Sequence, residues 1–326
     1  MRHRLLVTGG SGFIGTHLVE AARARGLSVA NIDLVPPKIA AHREHHRRID
    51  LMDASAVRGV VRDFSPDVVV NLAAVADISL GADAMRPNTQ GLAHLIDALD
   101  GTASRARLIH ASTQLVVGPG HVPQGPRDYL PYTAYGESKA ASEELLWAAT
   151  GLDWVIVRPT TIWGAWHATF GGSIWRFLAR RWYMLPTGVD PIRSYGYVGN
   201  VVEQILAAAE RSGEDVSQRV FYVSDEPIRS SVWLDGFSRA LTGKPTRRIP
   251  GSALRLLAEA GELSRKLGGP APIDRGRLFR MTTDYPVPIH DTLAVLGRGG
   301  TSLDAGIADT VAWLRAGQPG FARASS

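Results

Sequence analysis

The stretch Leu5-Leu6-Val7-Thr8-Gly9-Gly10-Ser11-Gly12-Phe13-Ile14-Gly15 decides how the rest of the chain is read. An apolar run of strand length ends at Thr8, and Gly9, Gly12 and Gly15 follow in a GxxGxxG spacing. Beyond Gly12 the pattern becomes helical. A backbone without Cβ turns tightly there and lets a pyrophosphate approach a helix N-terminus, where free N–H groups and the helix dipole favour negative charge. Glycines near a turn are often mere punctuation. Their place between a strand pattern and a helix pattern makes this a nucleotide-binding turn.

Asp33 closes the next strand-like run, near the offset of ~20 residues at which a carboxylate meets the ribose. It accepts from both ribose hydroxyls and repels a 2′-phosphate, so the expected cofactor is NAD. Arg43, Arg47 and Arg48 keep NADP as the alternative. His42, His45 and His46 in the same segment are read as part of a solvated basic loop, and no metal is expected.

Strand patterns at 4–8, 27–33, 68–73, 108–112 and 154–158 alternate with helix patterns at 12–25, 54–63, 88–99 and 134–149. Such alternation predicts an α/β fold with a doubly wound parallel sheet. The segment 34–49, with Pro36-Pro37, reads as a loop. Composition changes at Trp163-Gly164-Ala165-Trp166, followed by a helix near 172–182, another ending near Arg211, and a further sheet strand at 219–223. Helix patterns at 231–241, 253–267 and 302–315 complete the chain. Residues 1–164 plus 194–224 are thus expected to form the nucleotide-binding domain, and 165–193 plus 225–326 a smaller mixed α/β substrate domain. Trp163, Trp166, Phe170 and Trp175 are assigned no role beyond packing.

With 326 residues, 45% of them hydrophobic and 21% charged, the chain can bury a sizeable core. A net charge of +5 suits anions such as phosphates and is too weak to argue for nucleic acid. The absence of cysteine excludes disulfides, thiolate zinc sites and cysteine nucleophiles. The run after Met1-Arg2-His3-Arg4 is too short for a signal peptide, and no stretch approaches the ~18 apolar residues of a membrane span. A cytoplasmic protein with no membrane partner is expected.

Tyr135 and Lys139 fall at i and i+4 of a predicted helix, on one face. A free phenol, with a pKa of about 10, is a poor base at neutral pH. A neighbouring ammonium is expected to lower that value and let the pair exchange a proton with a substrate hydroxyl. The strand Leu108-Ile109-His110-Ala111-Ser112-Thr113 ends in hydroxyl residues before Tyr135, on the edge of the sheet that faces a cofactor crevice.

These parts, in this order, resemble the extended short-chain dehydrogenase/reductase family, the NAD-dependent epimerase/dehydratase group, with a Rossmann-type nucleotide-binding domain. The resemblance runs from residue 5 to about 224 and more weakly to Trp313. TGGSGFIG at 8–15 matches the family's opening turn and implies cofactor contacts from Gly9, Ser11, Gly12, Phe13, Ile14 and Gly15. Asp50-Leu51 resembles its acid–aliphatic pair at the adenine. Asn71-Leu72-Ala73-Ala74 resembles "HLAA", with Asn for His, and Asn88 with Gly91 resembles "NxxGT", with Leu92 for Thr. Ser112-Thr113-Gln114-Leu115-Val116-Val117-Gly118 resembles "SSxxVYG" and places Thr113 in a catalytic trio with Tyr135 and Lys139. The latter two also belong to its cofactor contacts. Arg158-Pro159-Thr160-Thr161-Ile162-Trp163-Gly164 resembles "RPxNVYG", implying Pro159 at the cofactor and Thr161, in place of Asn, at the substrate.

Arg193 opens a segment that resembles "RxYxYVxD", whose arginine faces a substrate diphosphate in the nucleotide-sugar branch; a guanidinium matches phosphate geometry. The structural alternative for Arg193 is a pairing with a surface acid. The related 4,6-dehydratases carry Asp-Glu after the trio threonine, where this chain has Gln114-Leu115. Neither residue transfers a proton, so a dehydratase is demoted. The resemblance implies a nucleotide-sugar 4-epimerase, ahead of a 4-keto reductase, and a homodimer through the Asn88 and Tyr135 helices. Leu241-Thr242-Gly243-Lys244-Pro245 is also similar to the 3β-hydroxysteroid dehydrogenase-like branch, which stays as a competitor. A non-catalytic dinucleotide sensor is the third reading, and the intact trio argues against it.

Overall fold

The computed structural model describes residues 4–101, 105–167, 174–266, 268–269, 273–317 and 321. Two compact units are present: Met1–Ile162, Val198–Asp225 and Pro288–Gly300 form the first, and Trp163–Tyr197, Glu226–Val287 and Thr301–Ser326 the second.

In the first unit, β1 (Arg4–Thr8), β2 (Ser28–Ile32), β3 (His46–Arg47), β4 (Val68–Asn71), β5 (Arg107–Ala111), β6 (Trp154–Pro159) and β7 (Arg219–Val223) make one sheet. Its order is β7-β6-β5-β4-β1-β2-β3, and every pair is parallel. Parallel strands are covered on both faces, which is why β4 and β5 are buried along their whole length. The helices are α1 (Phe13–Ala24), α2 (Ala54–Phe64), α3 (Arg86–Asp100), α4 (Ala134–Ala148) and α5 (Val198–Glu210). Neighbours α2, α3 and α4 pack side by side, whereas α1 packs on α5. The strand order reverses direction between β1 and β4, and in such sheets a crevice opens at that point beyond the strands' C-terminal ends. A core of Leu6, Ile32, Val61, Phe64, Val69, Leu95, Leu108 and Ile156 binds sheet to helices. Local chemistry starts the helices. Asp53 Oδ1 accepts from the N–H groups of Ser55 and Ala56 at 3.0 Å each, and Thr133 Oγ1 accepts from Gly136 N at 3.0 Å.

The expected loop at 34–49 is a correction. Ala40–His45 is a 3₁₀ turn, and β3 adds two rungs to β2, Asn31 with His46 and Ile32 with Arg47. Its histidines are not a solvated group. His42 is buried, with Nε2 2.6 Å from Glu20 Oε2, and His45 Nε2 accepts from Arg23 Nε at 2.9 Å. Contacts with α1 hold the segment, and two rungs are too short to show periodicity. Residues 288–300, placed by the sequence pattern in the second domain, group with the sheet unit, because Thr292 Oγ1 donates to Tyr222 O at 2.8 Å and Gln204 Nε2 to Gly297 O at 3.4 Å.

The second unit is helical, with helices Ile174–Ala179, Ser230–Thr242, Gly251–Lys266, Arg275–Thr282 and Leu303–Gly317. Met184–Pro186 pairs in parallel with Arg247–Ile249, and Ile192–Arg193 antiparallel with Ile228–Arg229. Its core is aromatic: Trp163, Trp175, Trp233 and Phe237 are buried together, and Tyr195 stacks on Trp233 at 4.7 Å. Phe170, residues 172–173 of the expected helix and Leu267 lie outside the described residues.

Candidate active site

The turn after β1 is built by exclusion of side chains. Gly9 has φ +70°, and a Cβ there would lie 2.6 Å from Ala73 N. A Cβ on Gly15 would lie 2.3 Å from Gly9 O, so α1 presses directly on the turn. A crevice of about 470 Å³ opens over it, bounded by Gly9, Ser11 and Gly12, by Asp33, Asp50 and Leu51, and by Leu72, Ala73 and Ala74. Asp33 stands at the end of β2, where its carboxylate accepts from Ser11 N and Val35 N, both at 3.0 Å. Leu51 is held by α3: its carbonyl meets His94 Nδ1 at 2.7 Å, and Gly91 leaves room for its side chain. These features fit a dinucleotide. Backbone N–H groups at a helix start suit pyrophosphate, a carboxylate suits the ribose, and apolar Ile49 and Leu51 suit a base.

Phe13 and Ile14 form the first turn of α1 rather than the crevice wall. Asn88 acts from behind it: Oδ1 accepts from Val75 N at 2.8 Å, while Nδ2 donates to Val75 O at 3.0 Å and Ser138 Oγ at 2.9 Å. It thus ties the segment after β4 to α4. Sequence reading missed Ile32, Leu34, Val35, Ile49, Met52 and Val75 in the lining. The available signal was the apolar pair Leu34-Val35, left exposed directly after a strand-end acid.

Thr113 follows β5, and Tyr135 and Lys139 lie one turn apart on α4. Thr113 lies beside Tyr135, near enough for its hydroxyl to favour the ionised phenol. Thr113 Oγ1 accepts from Leu115 N at 3.2 Å, which fixes its rotamer. Gly136 permits the approach, since a Cβ there would stand 2.4 Å from Leu115 O. Lys139 is buried and its Nζ donates to Ala111 O at 2.7 Å. Burial pushes its pKa down to about 8, partly offset by Glu143. The expectation that Lys139 lowers the phenol is corrected: burial dominates and raises Tyr135 to about 12, opposed only by the nearby Thr113 hydroxyl.

Two buried polar chains brace these groups. In one, Thr8 Oγ1 donates to Asn71 Oδ1 at 2.5 Å and accepts from Ala73 N at 3.2 Å. Asn71 Nδ2 meets His110 Nδ1 at 3.0 Å, and His110 Nε2 meets Ser142 Oγ at 2.9 Å. Burial first, then the Lys139 charge, holds His110 well below its usual range. In the other, Glu143 accepts from Arg158 Nε and Nη2 at 2.9 and 2.6 Å, from Ser112 Oγ at 2.5 Å and from Tyr129 OH at 3.1 Å. Pro159 ends β6, and Thr161 Oγ1 accepts from Gln114 Nε2 at 3.4 Å.

Arg193 belongs to the second unit. Its Nη1 donates to Arg280 O at 2.6 Å, and its guanidinium lies 5.6 Å from the Tyr285 ring centroid. No carboxylate forms a salt bridge with it among the described residues.

Comparison with known proteins agrees with this architecture. Residues 5–224 match the model of the NAD dependent epimerase/dehydratase family. The chain is 27% identical over 293 residues to a 3 beta-hydroxysteroid dehydrogenase/Delta 5-->4-isomerase of Mycobacterium tuberculosis, covering 83% of this chain and 78% of that one. It is 32% identical over 222 residues to the N-acetyl-alpha-D-glucosaminyl-diphospho-ditrans,octacis-undecaprenol 4-epimerase of Escherichia coli O157:H7, covering 63% and 62%. The solved UDP-glucose 4-epimerase of Thermus thermophilus in complex with NAD superposes with a TM-score of 0.71 and 26% identity, over 96% of this chain and 99% of that one. The chain belongs to the NAD-dependent epimerase/dehydratase family and is an NAD-dependent enzyme of the extended short-chain dehydrogenase/reductase type.

Proposed function

We propose that the protein is a 4-epimerase of a nucleotide-activated sugar, with Thr113, Tyr135 and Lys139 as its catalytic trio. The observation that carries this reading is the placement of Thr113 just after β5, beside Tyr135, with buried Lys139 one turn further along α4 and bonded to the end of the same strand. Bound NAD supplies a hydride acceptor and a positive ring that opposes the upward shift of the phenol. Tyr135, ionised once NAD is bound, would take the proton of the reacting hydroxyl as the carbonyl forms and return it to the same oxygen when the hydroxyl is restored. Thr113 orients the reacting hydroxyl. Lys139, through Ala111 O, holds α4 against the strand end.

Asp33 at the crevice rim supports NAD over NADP, because a 2′-phosphate would meet its carboxylate. Arg193, held by two carbonyls and an aromatic ring and in no salt bridge among the described residues, suits a substrate diphosphate. Gln114 pairs with Thr161 and does not titrate, which supports epimerisation or reduction over water elimination. A homodimer through α3 and α4 belongs to the same proposal.

The competing reading is a steroid or small-carbonyl oxidoreductase using the same trio, favoured by the length of the match to the mycobacterial dehydrogenase. Thermal-shift screening of UDP-, GDP- and dTDP-sugars against steroids separates them, and stabilisation by steroids alone removes the sugar. Stoichiometric NAD released on denaturation supports the epimerase cycle over a reductase that exchanges its cofactor. Tyr135→Phe is expected to lower turnover by orders of magnitude with the NAD dissociation constant unchanged; wild-type turnover in that variant ends the mechanism.

A further inference from the structure

Helix Gly251–Lys266 carries two apolar stripes. Leu254, Ala258 and Gly261 face the second unit's interior. On the outside, Leu256, Leu257 and Leu263 are 72%, 46% and 60% exposed, and Leu256, Ala260 and Leu263 repeat at helical spacing. Trp182 and Phe279, from two other segments, are 58% and 50% exposed. Part of this apolar surface is continuous: Trp182 and Leu257 border one apolar cavity of about 250 Å³, with Met184, Ile273 and Met281 in its walls.

The same segments concentrate positive charge. From Lys244 to Arg280 there are nine Lys and Arg against three acids, a net of +6, where the whole chain has +5. All three acids are engaged within the segment, Glu259 by Arg275 and both Glu262 and Asp274 by Arg265. Residues 176–182 add Arg176, Arg180 and Arg181 with no acid, so the remainder of the chain is left at −4. Arg180 lies 5.2 Å from the Trp182 ring centroid, a cation beside an aromatic ring at the surface.

We propose that this face docks on an anionic lipid bilayer, with Trp182, Leu256, Leu263 and Phe279 entering the interface and the surrounding arginines and lysines meeting the headgroups. A helix with exposed apolar residues and flanking cations lies in the plane of such an interface. Aromatic rings and long cationic side chains suit its boundary. Attraction to the charged surface acts within a Debye length of about 8 Å. A second copy of the chain is the poorer occupant, since two-fold pairing would bring two surfaces of the same sign together. Among the described residues no helix is long and apolar enough to cross a membrane, so the contact is peripheral.

The test is sedimentation of the full chain with phosphatidylcholine vesicles, with and without phosphatidylglycerol. Binding is expected to be about tenfold or more tighter with the anionic lipid and to be reversed by high salt. A Leu256→Gln/Leu263→Gln/Phe279→Gln variant is expected to lose that binding with an unchanged thermal melt. Arg255→Gln and Lys266→Gln are each expected to weaken it about fivefold. Equal or absent binding to both vesicles overturns the proposal, as does wild-type binding by the triple variant. So does light scattering showing that the triple variant turns a dimer into a monomer, which assigns the face to a second copy.

Discussion

Replacing Lys139 with methionine should make the protein more stable as pH falls toward neutrality, relative to wild type, while removing an ammonium from the proposed trio. Lys139 is fully buried, and its pKa drops from 10.5 in a free side chain to about 8. A lysine depressed in the folded state holds its proton more tightly when unfolded. Its penalty is therefore fully present below pH 8 and relieved as pH rises from about 8 to 10.5. A shift of this size corresponds to about 3 kcal/mol. Methionine has similar length and no charge, so the variant escapes the penalty. It also loses the 2.7 Å bond to Ala111 O, at about 1–3 kcal/mol, and that loss does not depend on pH. The net effect at pH 7 is near neutral to stabilising. The difference between variant and wild type should then move by about 3 kcal/mol against the variant between pH 7 and 10.5. Denaturant melts of both proteins at the two pH values measure this directly. A difference that stays constant with pH would refute a buried, charged Lys139, whatever its sign at pH 7.

Other perturbations test the frame around that lysine. Glu143→Gln leaves the buried Arg158 guanidinium without a counter-charge and places an amide where two donors already point. It should destabilise the fold by about 3–5 kcal/mol in the same melts, and a loss below about 1 kcal/mol would show that the ion pair is not sequestered. Gly9→Ala adds a Cβ 2.6 Å from Ala73 N at a positive φ, so calorimetry should show NAD affinity lowered by more than about tenfold. Asp33→Ala removes the carboxylate that accepts from Ser11 N and should narrow the gap between NAD and NADP dissociation constants. A wild type with no preference would already contradict the reason given.

Much of the site could be read from local chemistry because its parts are short and contiguous. The glycine turn, Asp33 and the Leu72–Ala74 segment meet at one crevice because each follows a parallel strand, and parallel strands end on one side. The motif around Asn88 implies a cofactor contact, yet its side chain holds Val75 and Ser138 from behind the crevice, turned toward α4 and not outward. The edge strand β3 has no sequence signature because its two rungs depend on His42 and His45 meeting α1, a contact between residues about twenty positions apart.

Sequence alone determined the parallel sheet, the pyrophosphate-type turn and the Tyr135–Lys139 spacing, because periodicity and glycine placement are properties of neighbours along the chain. Only the tertiary structure decided how those groups titrate. Burial is the sum of what many distant segments exclude, and here it dominates both groups, raising Tyr135 and lowering Lys139. Tertiary packing alone also makes Glu143, which no sequence motif singles out, the buried partner of Arg158 and Ser112.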